Sequence, residues 1–469
     1  MSVAPAFRIV EIEFHERPVR LRLPFRFGVL TLSAAPQVFA RARIRLADGR
    51  EGWGAAAEML IPKWFDKNPD LSNEDNLDQL RRSLWLAREK YLAATPRTAF
   101  GHFAAHYREQ LTEGETAGLN ALVASFGPAL IDRAVLDALC RLSGESFFSA
   151  MGKNLPGLDP AALLPEFRDF DMDRFLAALH PRRSIHARHT VGLVDPIDGH
   201  PRQVDDGLPE SLHEVIETYG HRWFKLKVGG DLGADLARLR EIAAVLERHG
   251  RDYRVTLDGN EQYPDLDGLL ALWEGMRADP ALTRFCEAIV FIEQPIHRQQ
   301  ALAQAVDGVQ GLPPLLIDES DGDLDAFPRA RALGYRGVSS KSCKGFYKSL
   351  INAARCQRWW TPARAYFLSG EDLTTQAGLA VQQDLALVAL LGLGHVERNG
   401  HHYVNGMADL PETEQAAFLA AHGDLYERRQ GAARLRIRDG QLALDSLYGA
   451  GFASGAGPDW EHCAPMPTV

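Results

Sequence analysis

Five charged side chains follow one another at the ends of successive short apolar runs in the middle of the chain: Lys227, Asp258, Glu293, Asp318 and Lys341. Neighbours in this series lie about 23 to 35 positions apart, which is the length of one strand, one helix and two loops. In an α/β barrel the carboxyl ends of the strands meet at one rim, and the chemistry is done there. The order and spacing therefore predict that the five side chains share one barrel mouth.

The three acids of this series predict a metal site. Three carboxylates at adjacent strand ends repel one another unless a cation lies between them, and an all-oxygen set suits a hard ion such as Mg²⁺. We expect Asp258, Glu293 and Asp318 to be its ligands. The alternative is that each acid caps a helix and each lysine is a solvated surface residue. This alternative can explain any one of the five residues, but it explains less well why all five occur in order at strand ends.

The lysines predict proton transfer. Lys225 and Lys227 project from the same face of a strand because side chains alternate along it. A lysine beside a divalent ion and a second ammonium has a lowered pKa and can accept a proton near neutral pH. A metal flanked by Lys227 and Lys341 suits removal of the proton α to a carboxylate, with the enolate held by the ion. Two opposed lysines also let a proton leave one face of the substrate and return to the other.

Composition and charge narrow the class of protein. The chain has 469 residues, enough for two or three domains, and its 46% hydrophobic and 24% charged content is typical of a soluble globular protein. A net charge of −10 argues against nucleic acid or an anionic membrane as a partner. Five cysteines without paired or metal-ligand spacing predict a reduced, cytoplasmic setting. We expect no signal peptide at the N-terminus, and the apolar run 385–393 is too short to span a bilayer.

The pattern of elements changes along the chain. Residues 7–14, 19–23 and 37–46 read as antiparallel strands, and helical periodicity follows over 77–91 and 119–142. From residue 185 strand and helix patterns alternate, which predicts an α/β fold with a parallel sheet closed into a barrel. The tail 433–444 reads as a hairpin with Asp439-Gly440 at its turn, and we expect it to fold back onto the first part.

These motifs together resemble those of the enolase superfamily, and within it the muconate cycloisomerase-like subgroup of the mandelate racemase/muconate lactonizing enzyme family. The matching motifs are Lys225-Leu226-Lys227, Asp258-Gly259-Asn260, Glu293-Gln294-Pro295, Asp318-Glu319-Ser320 and the pair Lys341 and Lys344. The resemblance implies a modified (β/α)7β TIM-type barrel with an α+β capping domain. It also implies that Lys227 and Lys341 are the acid/base pair, and that Lys225, Asn260, Glu319 and Lys344 support the catalytic residues.

The resemblance sets expected domain limits. We expect an N-terminal capping domain over 1–170 with an insertion near 62–115, the barrel over 185–410, and a C-terminal segment over 411–469 that returns to the cap. A further insertion is expected near 154–184. In such proteins cap loops choose the substrate, which here implies the stretches 25–27 and 59–62.

Three further residues are candidates for contact with substrate. Glu371 stands where the seventh barrel strand should end, although it could equally cap the next helix. His395 and Glu397 stand at the expected end of the eighth strand, in place of the Asp-x-Asp of dipeptide epimerases, which argues against a dipeptide substrate. Four histidines either line the pocket or pack elsewhere: His186, His189, His401 and His402.

The sequence thus predicts an Mg²⁺-dependent isomerase or lyase acting on a small carboxylate substrate by racemisation, epimerisation or cycloisomerisation. One alternative is a dehydratase of a hydroxy acid or acid sugar on the same site. A second is a superfamily member without turnover that acts as a binding or structural protein. The identity of the substrate and the formation of a homo-oligomer stay open.

Overall fold

A long antiparallel sheet forms the first part of the molecule. The computed structural model describes residues 4–28, 30–199, 204, 206–307 and 311–469; residues 1–3, on which the N-terminal prediction partly rests, lie outside them. The strands are β1 (Phe7–Phe27), β2 (Leu30–Leu46) and β3 (Glu51–Met59). The sequence predicted two strands where β1 runs unbroken. Pro18 pairs with Pro36 of β2, so the two residues that lack an N–H stand opposite each other and pairing continues on both sides.

Six helices accompany this sheet: α1 (Asn73–Ala93), α2 (Ala99–Thr116), α3 (Ala121–Ala124), α4 (Phe126–Ser143), α5 (Phe147–Gly152) and α6 (Met172–Ala177). Ser72 and Asp75 form a capping box at the start of α1. Helix α4 is buried along most of its length and packs on β3. A Cβ at Gly54 of β3 would lie 2.2 Å from the Ala134 carbonyl oxygen of α4, so only glycine allows this close approach.

Eight parallel strands form a closed barrel. They are β4 (Ser184–Val191), β5 (Trp223–Lys227), β6 (Arg254–Asp258), β7 (Ile289–Glu293), β8 (Leu315–Ile317), β9 (Gly337–Ser340), β10 (Phe367–Gly370) and β11 (His395–Arg398). Each pairs with the next, and β11 pairs with β4 from His395–His186 to Arg398–His189, which closes the ring. The predicted barrel with an additional antiparallel sheet is therefore confirmed.

Helices connect the barrel strands in the predicted alternation. They are α7 (Leu212–Tyr219), α8 (Leu232–Arg248), α9 (Leu266–Ala278), α10 (Thr283–Ala288), α11 (Arg298–Ala301), α12 (Ala326–Ala332), α13 (Phe346–Trp359) and α14 (Leu379–Leu390), followed after β11 by α15 (Gly400–Tyr403). This gives seven strand–helix units and a final strand. Among the described helices, none combines the length and the apolar character needed to cross a membrane.

The C-terminal segment contacts both sheets. It contains α16 (Glu412–Ala421), β12 (Tyr426–Arg429), β13 (Ala432–Leu435), β14 (Gln441–Ala443) and β15 (Ala464–Pro465). The Asp439-Gly440 turn forms, with φ of 49° and 71°. The predicted hairpin is limited to this turn, where Arg438 and Gln441 form an antiparallel bridge. Beyond the bridge, β13 pairs with β12 and β14 adds to the barrel strand β4. The last strand, β15, pairs with β1.

Candidate active site

The structure brings the five charged side chains of the predicted series together at one end of the barrel. Lys227 pairs in register with Asp258, and Asp258 pairs with Glu293, at the carboxyl ends of β5, β6 and β7. Asp318 and Lys341 are the residues directly after β8 and β9. The three carboxylates are at most 1% exposed. Buried carboxylates at this density require cations to compensate them.

Two lysines face these carboxylates from opposite walls. Lys227 Nζ donates to Asp258 Oδ2 at 2.6 Å, and Lys341 Nζ donates to Asp318 Oδ2 at 2.6 Å. Lys227 ends the second barrel strand and Lys341 follows the sixth, so they stand four strands apart in a ring of eight. A molecule bound between them would therefore meet one ammonium on each side.

Lys225 lies deeper and joins four carboxylates. Its Nζ is 2.7 Å from Glu293 Oε2 and 2.9 Å from an oxygen of each of the others: Asp258, Glu371 and Glu397. Burial alone would lower the pKa of Lys225, but the four carboxylates outweigh it and raise that pKa well above its ordinary value. Lys225 therefore stays charged and holds the floor of the mouth together.

Glu293 is the least satisfied of the three predicted ligands. The Lys225 ammonium is close to it, yet neither Glu293 oxygen accepts a well-directed hydrogen bond from the described residues. Burial, reinforced by Asp258 and Glu371, raises the pKa of Glu293 well above its ordinary value. A hard divalent cation would satisfy these oxygens and offset the repulsion, so the carboxylate set fits Mg²⁺.

Contacts with lysines lower the pKa of the other two carboxyl groups, Asp258 and Asp318. Burial would raise the pKa of Asp258, but Lys225 and Lys227 outweigh it and lower that pKa. Lys341 and Lys344 likewise hold the pKa of Asp318 well below its ordinary value against burial. Both groups are therefore carboxylates, the form that a metal ligand needs.

The structure gives Lys341 a pKa shift opposite to the predicted one. Burial would lower the pKa of Lys341, but Asp318 outweighs it and raises that pKa above its ordinary value. The sequence prediction concerned a lysine next to a divalent ion, whose charge acts in the opposite direction. The Asp318 carboxylate thus favours the ammonium form of Lys341.

The predicted supporting residues lie beside the ligands. Asn260 donates from its backbone N–H to Asp258 Oδ1 at 2.8 Å and from Nδ2 to Glu319 Oε1 at 3.1 Å. Burial is the main cause that raises the pKa of Glu319 to about 7. Lys344 Nζ lies 3.3 Å from Asp318 Oδ1 and 3.0 Å from Asp321 Oδ2. These contacts fix the orientation of Asp258 and Asp318.

The three predicted substrate-contact residues occupy different depths. Glu397 lines the cavity in the mouth. Glu371 is fully buried below it, paired with Arg188 and Lys225, and does not cap a helix. His395 lies two residues before Glu397 on β11, with its ring stacked on Trp223 at 3.9 Å between centroids. The structure therefore places Glu397 at the mouth and keeps Glu371 and His395 beneath it.

Arg188 is a site residue that the sequence reasoning missed. It is buried inside the barrel, pairs with Glu371, and donates to Ser369 Oγ at 3.1 Å. The signal for it was the alternation of β4, which sends Arg188 and Thr190 inward; Thr190 Oγ1 donates to Glu397 Oε1 at 2.6 Å. An arginine on the inner face of a barrel strand is itself a sign of buried carboxylates.

Segments of the first part close the mouth. The cavity has a volume of about 20 Å³, near the space of one water molecule. Its lining from this part consists of Phe25, Phe27, Ile61 and Trp64. The Trp64 ring lies 4.1 Å from Lys341 Nζ, and the Phe25 ring lies 6.0 Å from Lys227 Nζ. Both stretches predicted to choose the substrate, 25–27 and 59–62, therefore contribute to the mouth.

The chain is similar to one known protein family over residues 207–453. A family model described as "Enolase C-terminal domain-like" matches residues 207–453, which is more than half of the chain. The chain belongs to the enolase superfamily. Within the superfamily it falls with the mandelate racemase/muconate lactonizing group, as the motifs predicted. No curated protein matches it.

Solved structures of this superfamily share the fold over nearly the whole chain. A mandelate racemase/muconate lactonizing protein from Herpetosiphon aurantiacus is 17% identical, with a TM-score of 0.59 over 97% of this chain and 100% of that one. A dipeptide epimerase from Enterococcus faecalis V583, complexed with Mg and L-Leu-L-Tyr, is 15% identical, with a TM-score of 0.59 over 95% and 99%. An enolase from Bradyrhizobium, complexed with magnesium and mandelic acid, is 16% identical, with a TM-score of 0.59 over 98% of both chains.

Proposed function

We propose that this superfamily member is an Mg²⁺-dependent enzyme that removes the proton α to the carboxylate of a small substrate, giving racemisation, epimerisation or cycloisomerisation. One observation carries the proposal. Lys227 and Lys341 stand on opposite walls of the barrel mouth, and each contacts a carboxylate of the candidate metal set at 2.6 Å. Such a pair can take a proton from one face of a carbon and return it to the other.

Different residues of the mouth would bind the metal ion, transfer the proton and exclude water. Asp258, Glu293 and Asp318 would hold the metal ion, which when bound would supply positive charge that stabilises the charge developing on the substrate carboxylate. Lys227 and Lys341 transfer the proton. Lys225 keeps the surrounding carboxylates in place through its four contacts. Phe25 and Trp64 keep water away from the two lysines.

Two of the superfamily structures support the choice of metal and substrate class. The Enterococcus dipeptide epimerase was solved with Mg and a dipeptide, and the Bradyrhizobium enolase with magnesium and mandelic acid. Both organic ligands carry a carboxylate with a hydrogen on the α carbon. The same class of ligand would place its α carbon between Lys227 and Lys341 here.

The small cavity favours one competing function, a binding or structural protein without turnover. The cavity in the mouth, at about 20 Å³, is too small to hold an organic acid. Catalysis therefore requires the segments that carry Phe25 and Trp64 to move away from the barrel when substrate enters. If they stay in place, the carboxylate and lysine cluster is a buried ionic core and nothing more.

Exchange of α protons with solvent deuterium tests the proposal without knowledge of the substrate. A panel of hydroxy, amino and N-acyl acids is incubated with the protein and Mg²⁺ in deuterium oxide and followed by proton NMR. The proposal expects loss of the α-proton signal for at least one acid, and persistence of that signal when Mg²⁺ is chelated before the acid is added. Loss of water from a hydroxy acid would instead indicate a dehydratase. No exchange by a folded, Mg²⁺-binding protein across all classes would support the non-catalytic function.

A further inference from the structure

Three histidines from distant parts of the chain meet outside the barrel wall. His189 is on β4 between Arg188 and Thr190, which point inward, so its own side chain points outward. His221 lies two residues before β5, and His401 lies in α15 just after β11. The cluster therefore sits at the seam where the first barrel strand pairs with the eighth, away from the mouth.

The three rings form a nearly equilateral triangle. Their centroids are 5.4 Å apart for His189 and His221, 5.3 Å for His189 and His401, and 5.2 Å for His221 and His401. Three imidazoles bound tetrahedrally to one ion at about 2.0–2.1 Å have ring centres about 5 Å apart. One nitrogen from each ring already lies within 4.8 Å of the other two. The spacing of the three rings is thus close to that of three imidazoles that share one ion.

Several ring nitrogens of the cluster lack a hydrogen-bond partner among the described residues. His189 Nδ1, His221 Nε2 and both nitrogens of His401 are buried without a hydrogen bond to any described residue. Leaving a buried polar atom unsatisfied costs about 1–3 kcal/mol, so a cluster of four needs an explanation. A packing role for the rings leaves this cost in place, whereas a shared ligand removes it.

His221 is held in the tautomer that a metal ligand requires. Its Nδ1 lies 2.9 Å from the Ala187 carbonyl oxygen. Because that oxygen can only accept, Nδ1 carries the hydrogen and Nε2 presents a lone pair to the cluster. A carbonyl that receives the second N–H is the usual outer support of a metal-bound histidine.

All three imidazoles are neutral at neutral pH. Burial is the main cause that lowers the pKa of His221 to about 4, and burial with the neighbouring histidines lowers the pKa of His189 and His401 well below the ordinary value. Neutral rings offer their lone pairs to a metal without first losing a proton.

We propose that His189, His221 and His401 bind one divalent transition-metal ion, for which Zn²⁺ is the best match. Three imidazoles suit Zn²⁺ far better than Mg²⁺, which prefers the oxygen ligands of the mouth. The three ligands bring no negative charge and leave the fourth position to a water molecule or an anion. The small cavity next to His401 is lined by Arg429 and Arg434, which favour a hydroxide or chloride there. The ion would fasten β4, β5 and α15 together at the seam of the barrel.

Metal analysis of matched variants tests this site. The protein, without a histidine tag, is dialysed against Zn²⁺ with excess Mg²⁺ present to saturate the mouth, and bound zinc is then counted. We expect about one zinc per chain in the natural protein, and loss of that zinc in His221→Gln and His401→Gln. The control is His249→Gln, because His249 forms a histidine pair with His213 on the barrel exterior at 3.1 Å and lies outside the cluster; it should keep the zinc.

A second measurement avoids reliance on variants that fail to fold. The natural protein is loaded with Co²⁺, and the visible absorption of the ion is recorded with Mg²⁺ present. An intense tetrahedral cobalt spectrum that Zn²⁺ abolishes, together with a zinc-dependent rise in the unfolding temperature, supports the site. The proposal is overturned if the natural protein binds neither ion, or if the zinc disappears in Glu293→Gln at the mouth and persists in His221→Gln.

Discussion

The ammonium nitrogen of Lys341 lies 4.1 Å from the centre of the Trp64 ring. Lys341 follows the sixth barrel strand, whereas Trp64 comes from the segment between β3 and α1. A ring over an ammonium stabilises the charge by about 0.5–2 kcal/mol, more when water is excluded. One residue of the first part thus covers one of the two proposed bases, and it must move before that base can meet a substrate.

Removal of this cover is expected to impair turnover more than folding. Trp64→Ala opens the mouth to water and should lower kcat/KM by about tenfold for whichever acid the exchange screen identifies. The matched control is Trp360→Ala, because Trp360 is 59% exposed and distant from the mouth in the fold. Steady-state kinetics with circular dichroism checks both variants. Equal kcat/KM for both variants would contradict a role for Trp64 in closing the site.

Glu293 is expected to be essential for metal binding. Both of its oxygens lack directed hydrogen bonds, so Glu293→Gln removes a charge that only a cation satisfies. Mg²⁺ affinity measured by calorimetry should fall by more than about 100-fold, beyond the 10–100-fold loss usual for an outer partner of a ligand. Glu274→Gln, which alters an exposed carboxylate, should leave the affinity unchanged. A Glu293→Gln affinity within a few-fold of the natural one would contradict the ligand assignment.

Lys225 is expected to be the most costly lysine to remove. Lys225→Met leaves four buried carboxylates without their shared cation and should destabilise the fold by about 3–5 kcal/mol in urea unfolding without Mg²⁺. Added Mg²⁺ should recover more stability in this variant than in the natural protein. Lys153→Met, which breaks an exposed ion pair with Glu145, should have little effect. A similar stability for both variants would show that Lys225 does not hold the cluster together.

Two buried histidines are expected to lower the free energy of unfolding in acid. Burial is the main cause that lowers the pKa of His102 and of His422 to about 4, below the value of about 6.5 in an unfolded chain. Between these values the unfolded chain binds more protons, so stability is complete above about pH 6.5 and falls as the pH drops toward 4. Each histidine contributes a slope of at most about 1.4 kcal/mol per pH unit. The free energy of unfolding, measured by urea denaturation over this pH range, should change less steeply with pH in His102→Gln than in the natural protein. An equal dependence on pH would contradict the assignment.

The barrel and its mouth were predictable because the decisive signal is periodic. Each of Asp258, Glu293 and Asp318 follows or ends a short apolar strand, and parallel strands bring such ends to one rim. His395 lies below the mouth because β11 continues beyond it and the cavity is lined two residues later, by Glu397.

What the sequence did not reveal depends on contacts between distant segments. Trp64 is near Lys341 only after the first part folds over the barrel, and no spacing rule links the two positions. The same holds for His189, His221 and His401, which three separate loops and strands bring together. The tail was predicted only in part, because the Asp439-Gly440 turn fixes a reversal of the chain and the bridge between Arg438 and Gln441 but not the strands that pair beyond it.

Substitution of Lys227 and Lys341 is the most direct test of their assignment as the bases that transfer the proton. Lys227→Ala and Lys341→Ala are assayed for exchange of the α proton in deuterium oxide with Mg²⁺, on the acid that the natural protein exchanges, alongside Lys153→Ala as the exposed-lysine control. We expect each mouth variant to lose exchange by several orders of magnitude while it keeps its fold and its Mg²⁺, and we expect the control to match the natural protein. Full exchange by both Lys227→Ala and Lys341→Ala would contradict the assignment of the bases and the mechanism built on them.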